Sequence, residues 1–185
     1  DYVFTTVHIS SYVPVPILEI GSFLQDNDID RVRKLFARES KDFLQKYFKK
    51  ELFFTDVEGK TKDEVLKNLC RKVEQEKGLP ETFTASVLKR EELTPTDYGN
   101  LVALPHPERA FQERAFVAVA VLKEPIFWFR QKVQVVFLTA IGREEDENLQ
   151  QFYEATTDLI LRPADVQNLI RHPDYDRLIQ LLRRA

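Results

Sequence analysis

Cysteine is nearly missing from this sequence: Cys70 is the one thiol in 185 residues. No internal disulfide can form, which fits a reducing, cytosolic setting. Glycine is scarce as well, with five in all, and neither G-x-G-x-x-G nor the P-loop pattern occurs. No G-x-S-x-G elbow is present to carry a nucleophilic serine. The histidines, His8, His106 and His172, lie far apart and form no local pair with metal-ligand spacing, so no metal and no cofactor is expected. The apolar runs at 117–122 and 133–141 are too short to span a bilayer, and the opening residues show no n-region and h-region, so secretion is not expected. Net charge is −3 with both signs dispersed and no basic stripe, so direct nucleic-acid binding is not expected. Methionine is absent even at position 1, and we read the chain as a piece of a longer polypeptide.

What is present suits a globular core. Apolar residues make up 43% and charged residues 31% of the chain, enough of each for a buried interior and a solvated surface. Residues 2–9 are β-branched and aromatic and predict a strand. Residues 13–20 predict a second, irregular one because Pro14 and Pro16 interrupt it. Asp26 is a candidate N-cap for a helix carrying Ile29, Val32, Leu35 and Phe36 on one face. Residues 39–50 predict a charged helical connector with Phe43, Leu44, Tyr47 and Phe48 at helical spacing. A short strand at 52–54 follows.

Thr61 and Glu64 form a capping box. The helix they open turns Val65, Leu66, Leu69, Cys70 and Val73 inward and stops at Gly78. Pro80 opens another helix, reaching about Arg90. Strands are expected at 101–104, 115–122 and 133–138, then helices at 144–161, 163–170 and 174–183. This order predicts an α/β fold, a three-layer α/β/α sandwich with a central mixed sheet. Residues 1–38 predict a fragment of a separate open α/β unit.

Chemistry concentrates at His106. It follows Pro105, where a strand loses its ladder donor, so the imidazole belongs on a rim. A nucleophilic imidazole needs donors for the group it attacks and a cation to offset developing charge. Arg90 and Thr96, with the amides around Gly99 and Asn100, are candidates for those roles. Glu91 and Glu92, and Asp146 and Glu147, read as solvated faces or helix-start charges. Cys70 lies on an apolar helix face and reads as a core thiol. His8 reads as structural, and His172, before Pro173, as a cap of the preceding helix. Phe127, Trp128 and Phe129 read as core and rim, with partner docking as the alternative.

Thr96, Gly99, Asn100, Ala103, Pro105 and His106 spell T-x-x-G-N-x-x-A-x-P-H. This resembles the phosphoacceptor motif of the fructose/mannitol-type enzyme IIA (EIIA type 2) domain of the sugar phosphotransferase system, and Arg90-Glu91 stands where that family has R-E. The stretches L-K-E-P-I-F-W and V-Q-V-V-F-L resemble the version at the C-terminus of transcriptional antiterminators and activators with duplicated regulatory domains. The resemblance covers roughly residues 52–184. Residues 1–38 are similar to the second half of a IIB-like domain without its phosphocysteine, residues 39–50 being the connector and 51–185 the IIA-like domain.

By this resemblance His106 accepts a phosphoryl group and Arg90 steadies it. Donors would be HPr or a IIB-type protein, with upstream domains of the same polypeptide as further partners and a homodimer allowed. Transport members often carry a second histidine in an E-H-L context, whereas this chain has Glu147-Asn148-Leu149. Asn148 donates hydrogen bonds but carries no proton back and forth. The resemblance therefore implies a cytoplasmic signal-receiving module. The alternatives are a IIA phosphocarrier and a non-phosphorylated interaction module of the same fold. It does not settle whether the chain is an enzyme.

Overall fold

The computed structural model describes residues 3–7, 9, 12–15, 17–21, 44–144 and 148–184. The chain divides into two compact units, Asp1–Asp42 and Phe43–Ala185. In the first, β1 (Val3–Thr5) pairs in parallel with β2 (Ile17–Glu19), and the Ile20 amide donates to the Thr5 carbonyl at 2.8 Å. Both strands fall within the stretches expected from sequence. The helix expected from Asp26, and His8, lie outside the described residues.

The second unit is built on a five-stranded mixed sheet in the order β3-β6-β7-β5-β4. Its strands are β3 (Phe48–Phe54), β4 (Asp97–Gly99), β5 (Val102–Ala103), β6 (Phe116–Phe127) and β7 (Lys132–Ala140). β3 runs parallel to β6 and β5 parallel to β7, while β6–β7 and β4–β5 are antiparallel. Successive side chains of a strand point to opposite faces. Accordingly Val117, Val119 and Val121 enter one core, and Phe116, Ala118, Ala120 and Leu122 the other. Helices α1 (Lys62–Lys77) and α2 (Thr82–Leu93) cover the second face. Helices α3 (Leu149–Ile160), α4 (Pro163–Arg171) and α5 (Tyr175–Leu182) cover the first. The expected three-layer sandwich is therefore present. A fully buried aliphatic side chain contributes roughly 1.5–3 kcal/mol, so the β6–β7 pair, apolar on both faces, anchors the unit.

The elements depart from expectation where polarity masks a strand. β3 begins at Phe48, not at 52, because Lys49, Lys50 and Glu51 are exposed on the sheet's edge. Charges on an edge strand block pairing with foreign strands. Residues 44–47 form a helical turn just before it. β6 continues through Pro125 to Phe127 by way of a register shift between Val121 and Ile126. There the Gln134 amide group donates to the carbonyls of Leu122 and Lys123 at 3.1 and 3.3 Å, serving acceptors that the shifted ladder leaves over. β4 was not expected at all: three residues containing Asp and Gly carry no strand signal. The helix expected from 144 is described from Leu149.

Candidate functional site

The site is assembled at the end of β5. Val102 and Ala103 pair with Val135 and Val136 of β7, and main-chain bonds continue the pairing past the strand's last residue. The Leu104 amide donates to the Thr96 carbonyl at 3.0 Å, and the Thr139 amide donates to the Pro105 carbonyl at 3.0 Å. Pro105 lacks an N–H, but its carbonyl still accepts, so the chain stays pinned to β7 as the sheet ends. His106 is half-buried between the buried Pro105 and Pro107. Its Nδ1 lies 3.1 Å from the Leu104 carbonyl oxygen. A carbonyl only accepts, so this bond requires the proton on Nδ1 and, in the neutral ring, leaves Nε2 with the nucleophilic lone pair.

Helix α2 clamps this loop. The Glu108 amide donates to Ser86 Oγ at 2.9 Å, and Lys89 Nζ meets the Glu108 carboxylate at 3.0 Å. The Lys89 side chain is 68% exposed, and such a pair contributes about 0.2–1 kcal/mol. A stronger knot lies one turn on. Glu91 is 1% exposed. It accepts from the Thr96 amide at 2.8 Å, the Thr96 hydroxyl at 2.6 Å and the Trp128 indole N–H at 2.7 Å. Buried bonds to a charged group contribute about 1.5–3 kcal/mol each, so Glu91 outweighs the surface pair in holding the start of β4. The reading of Glu91 as a solvated charge is corrected: its carboxylate is a buried acceptor. Glu92 is exposed, and Asp146 and Glu147 lie outside the described residues.

The other candidates distribute unevenly. Arg90, in the last turn of α2, donates from Nη1 to the Thr94 carbonyl at 3.1 Å. Thr96 lies beside Leu104 but commits both its donors to Glu91. Gly99 and Asn100 stand at the opposite end of β5. The Leu101 carbonyl pairs at Val135 and the Pro105 carbonyl at Thr139, four residues and roughly 13 Å apart along an extended strand. The Asn100 amide group is turned to the Ile160 carbonyl at 2.8 Å. Gly99 and Asn100 thus shape the β4–β5 turn, at a distance from the imidazole. Asn148 precedes α3 and its carbonyl accepts from the Phe152 amide.

Across the rim, Gly142 packs against the 113–115 backbone. The amides of Arg143 and Glu144 donate to the carbonyls of Gln112 and Glu113 at 3.2 and 3.0 Å. Among the described residues no group of three His, Cys, Asp or Glu is placed to hold a metal ion. A groove of about 480 Å³ lined by Val57, Lys60, Leu122 and Phe127 lies at the far end of β6. His106 instead lies beside Thr139, which pairs with Val117 near the start of that strand.

Residues 46–185 match the family described as the phosphoenolpyruvate-dependent sugar phosphotransferase system, EIIA 2. The chain belongs to this EIIA family. It is 34% identical over 178 residues to the probable licABCH operon regulator of Bacillus subtilis (strain 168), covering 96% of this chain and 28% of that protein. It is 24% identical over 179 residues to the transcriptional regulator ManR of the same organism, covering 92% and 28%. The chain thus spans little more than a quarter of either relative. Among solved structures it is similar to the complex of mannitol enzyme IIA with phosphorylated mannitol enzyme IIB from Escherichia coli. That match has a TM-score of 0.60 and 17% identity, covering 72% of this chain and 96% of that one.

Other residues of this EIIA chain have plainer roles. Cys70 is buried. Burial, with the nearby Glu74 adding to it, pushes its thiol up to about 12, so it stays an un-ionised core side chain. His172 caps α4 through its backbone, its amide donating to the Asn168 carbonyl at 3.0 Å, and is itself exposed. Trp128 is buried, whereas Phe127 and Phe129 are 65% and 51% exposed. No helix among the described residues is long and apolar enough to cross a membrane. The sequence reading passed over Ser86 and Lys89 and took Glu91 for a solvated charge. Glu91 carried a signal, because Phe83, Val87 and Glu91 repeat at four-residue steps along the buried face of α2.

Proposed function

We propose that this chain is the phosphoryl-accepting regulatory module of a sugar-responsive transcriptional regulator, phosphorylated on His106 by a component of the phosphotransferase system. The observation that carries this reading is the Nδ1–H bond to the Leu104 carbonyl, which leaves Nε2 as the nucleophile at the end of the P-H motif. Nε2 attacks the phosphorus of a donor phosphohistidine or phosphocysteine. The new N–P bond forms as the donor's N–P or S–P bond breaks, and the donor keeps the electron pair. The Nδ1 proton stays in place, and the Leu104 carbonyl stabilises the positive charge that the ring develops.

Arg90 steadies the phosphoryl oxygens with guanidinium donors beyond the one given to Thr94. The modification adds about two negative charges, enough to alter packing against neighbouring domains of the same polypeptide. The donor is HPr or a IIB-type protein. The names of the B. subtilis relatives support the regulatory reading, as does Asn148 where transport members often carry histidine. We read residues 1–38 as the end of a IIB-like domain, 39–50 as a connector and 51–185 as the IIA-like domain. The module sits in the cytoplasm and leaves DNA or RNA contact to other domains.

The test is phosphotransfer from labelled phosphoenolpyruvate through the general phosphotransferase proteins and candidate IIB domains. Acid-labile label is expected on this chain. Absence of label from every donor would sink the reading and leave an interaction module. Efficient onward transfer to a IIB cysteine would instead make the chain a carrier.

A further inference from the structure

Resting on His106 as the reacting group, the packing beneath it assigns a task to a residue that touches neither donor nor phosphate. We propose that Glu91 is a positioning residue that sets the imidazole tautomer of His106 through Thr96 and Leu104. The links run in order. Glu91 holds the Thr96 amide at 2.8 Å and hydroxyl at 2.6 Å. The Thr96 carbonyl takes the Leu104 amide at 3.0 Å. The Leu104 carbonyl takes His106 Nδ1–H at 3.1 Å. The Trp128 indole N–H donates at 2.7 Å to the same Glu91 oxygen, Oε1, that accepts from the Thr96 amide, and so fixes the carboxylate.

The chain is needed because the local sheet is weak. β4 is three residues long and β5 two, and their register shifts between Asp97 and Gly99. β7 pins the neighbouring Pro105 carbonyl through the Thr139 amide, but the Leu104 amide and carbonyl face the β4 side, where so short a ladder cannot by itself fix their direction. The carboxylate anchors Thr96 on the rigid side of the site, in the last turns of α2. In water the neutral histidine ring favours the Nε2–H form, which has no lone pair on Nε2 to attack phosphorus. Holding the Nδ1–H form is therefore a requirement that the fold must meet, and Glu91 is the buried group placed to meet it.

The experiment reads the tautomer in the unphosphorylated full chain by nitrogen NMR of ring-labelled histidine, with His106 assigned from its loss in His106→Gln. The wild type is expected to show a protonated Nδ1 and a bare Nε2. In Glu91→Gln, and in Thr96→Val, which keeps the Thr96 amide and the side-chain shape, the Nε2–H form becomes a major species. The initial phosphorylation rate should then fall roughly ten- to a hundredfold, in kcat rather than KM. Thr96→Ser restores the wild-type pattern, and the exposed neighbour variant Glu92→Gln never departs from it. Should Glu91→Gln fail to fold, Thr96→Val carries the test. A wild type in the Nε2–H form, or folded variants that keep Nδ1–H as the sole species, overturns the proposal. A tautomer switch in a protein that takes no label upholds the positioning role while the phosphoacceptor reading falls alone.

Discussion

The two ends of β5 differ in what their residues are for. At one end Pro105 and Pro107 flank a half-buried imidazole, and the main chain is pinned by Thr96 and Thr139. At the other, Gly99, Asn100 and Leu101 have φ of 103°, 50° and 66°, a run of left-handed backbone that reverses the chain between β4 and β5. The sequence motif spans both ends without distinguishing them. The first holds the proposed phosphoacceptor; the second forms the turn that leads into β5. A motif residue is therefore not automatically a site residue, and distance along an extended strand separates the two kinds.

The sharpest way to break this comparison is to exchange the fates of the two ends. His106→Gln should reduce phosphorylation from any donor to background while leaving the unfolding temperature nearly unchanged. Label retained in that variant would move the chemistry elsewhere in the chain. The next largest effect is structural and lies on the same rim. A Cβ on Gly142 would stand 2.3 Å from the Glu113 carbonyl oxygen and 2.6 Å from the Ala115 amide nitrogen. Both are main-chain atoms and cannot swing away. Gly142→Ala should destabilise by about 2–3 kcal/mol, read as a lowered midpoint in urea unfolding with an unchanged slope.

Much of this architecture was legible beforehand, and the reasons are specific. Helix α1 announces itself through the Thr61 cap, whose hydroxyl accepts from the Glu64 amide at 3.3 Å, and through apolar residues at helical spacing, and α2 through Pro80 just before it. β6 and β7 announce themselves as continuous apolar runs rich in β-branched residues, the pattern of strands buried on both faces. Legibility failed where a residue's type and its environment disagree. Lys49, Lys50 and Glu51 look helical or solvated, yet they belong to an edge strand whose outer side must be charged. β4 is too short for any periodicity to register.

The candidate site was proposed from its centre outward, and the structure shifts its margin. His106 follows from the proline before it and from the motif. Glu91 was hidden because Glu91 and Glu92 are the same residue type side by side, and only helical phase separates buried from exposed. Phe83 and Val87 set that phase, so a carboxylate four residues further along the same face could have been singled out as a buried acceptor awaiting donors. Gly99 and Asn100 were read as phosphate donors because they lie close to His106 in sequence. An extended strand converts a short sequence interval into a long distance.

The remaining predictions sharpen the quiet end. Gly99→Ala forces an alanine into a φ of 103°, although its methyl would meet nothing closer than the Gln131 side chain at 3.6 Å. The cost is backbone strain alone, about 1–3 kcal/mol, and thermal unfolding should show it without a matching loss of phosphorylation.

Asn100→Ala should do less. Asn100 itself is exposed, and its loss takes one donor from the Ile160 carbonyl, so about 0.5–1.5 kcal/mol is expected. Its phosphorylation rate is the decisive reading. If the turn only shapes β5, the rate stays within about threefold of wild type, since a change of 0.6 kcal/mol corresponds to that factor. A loss of a hundredfold or more in a folded Asn100→Ala protein would mean that the left-handed turn reaches the imidazole, and the separation of the two ends of β5 would fail.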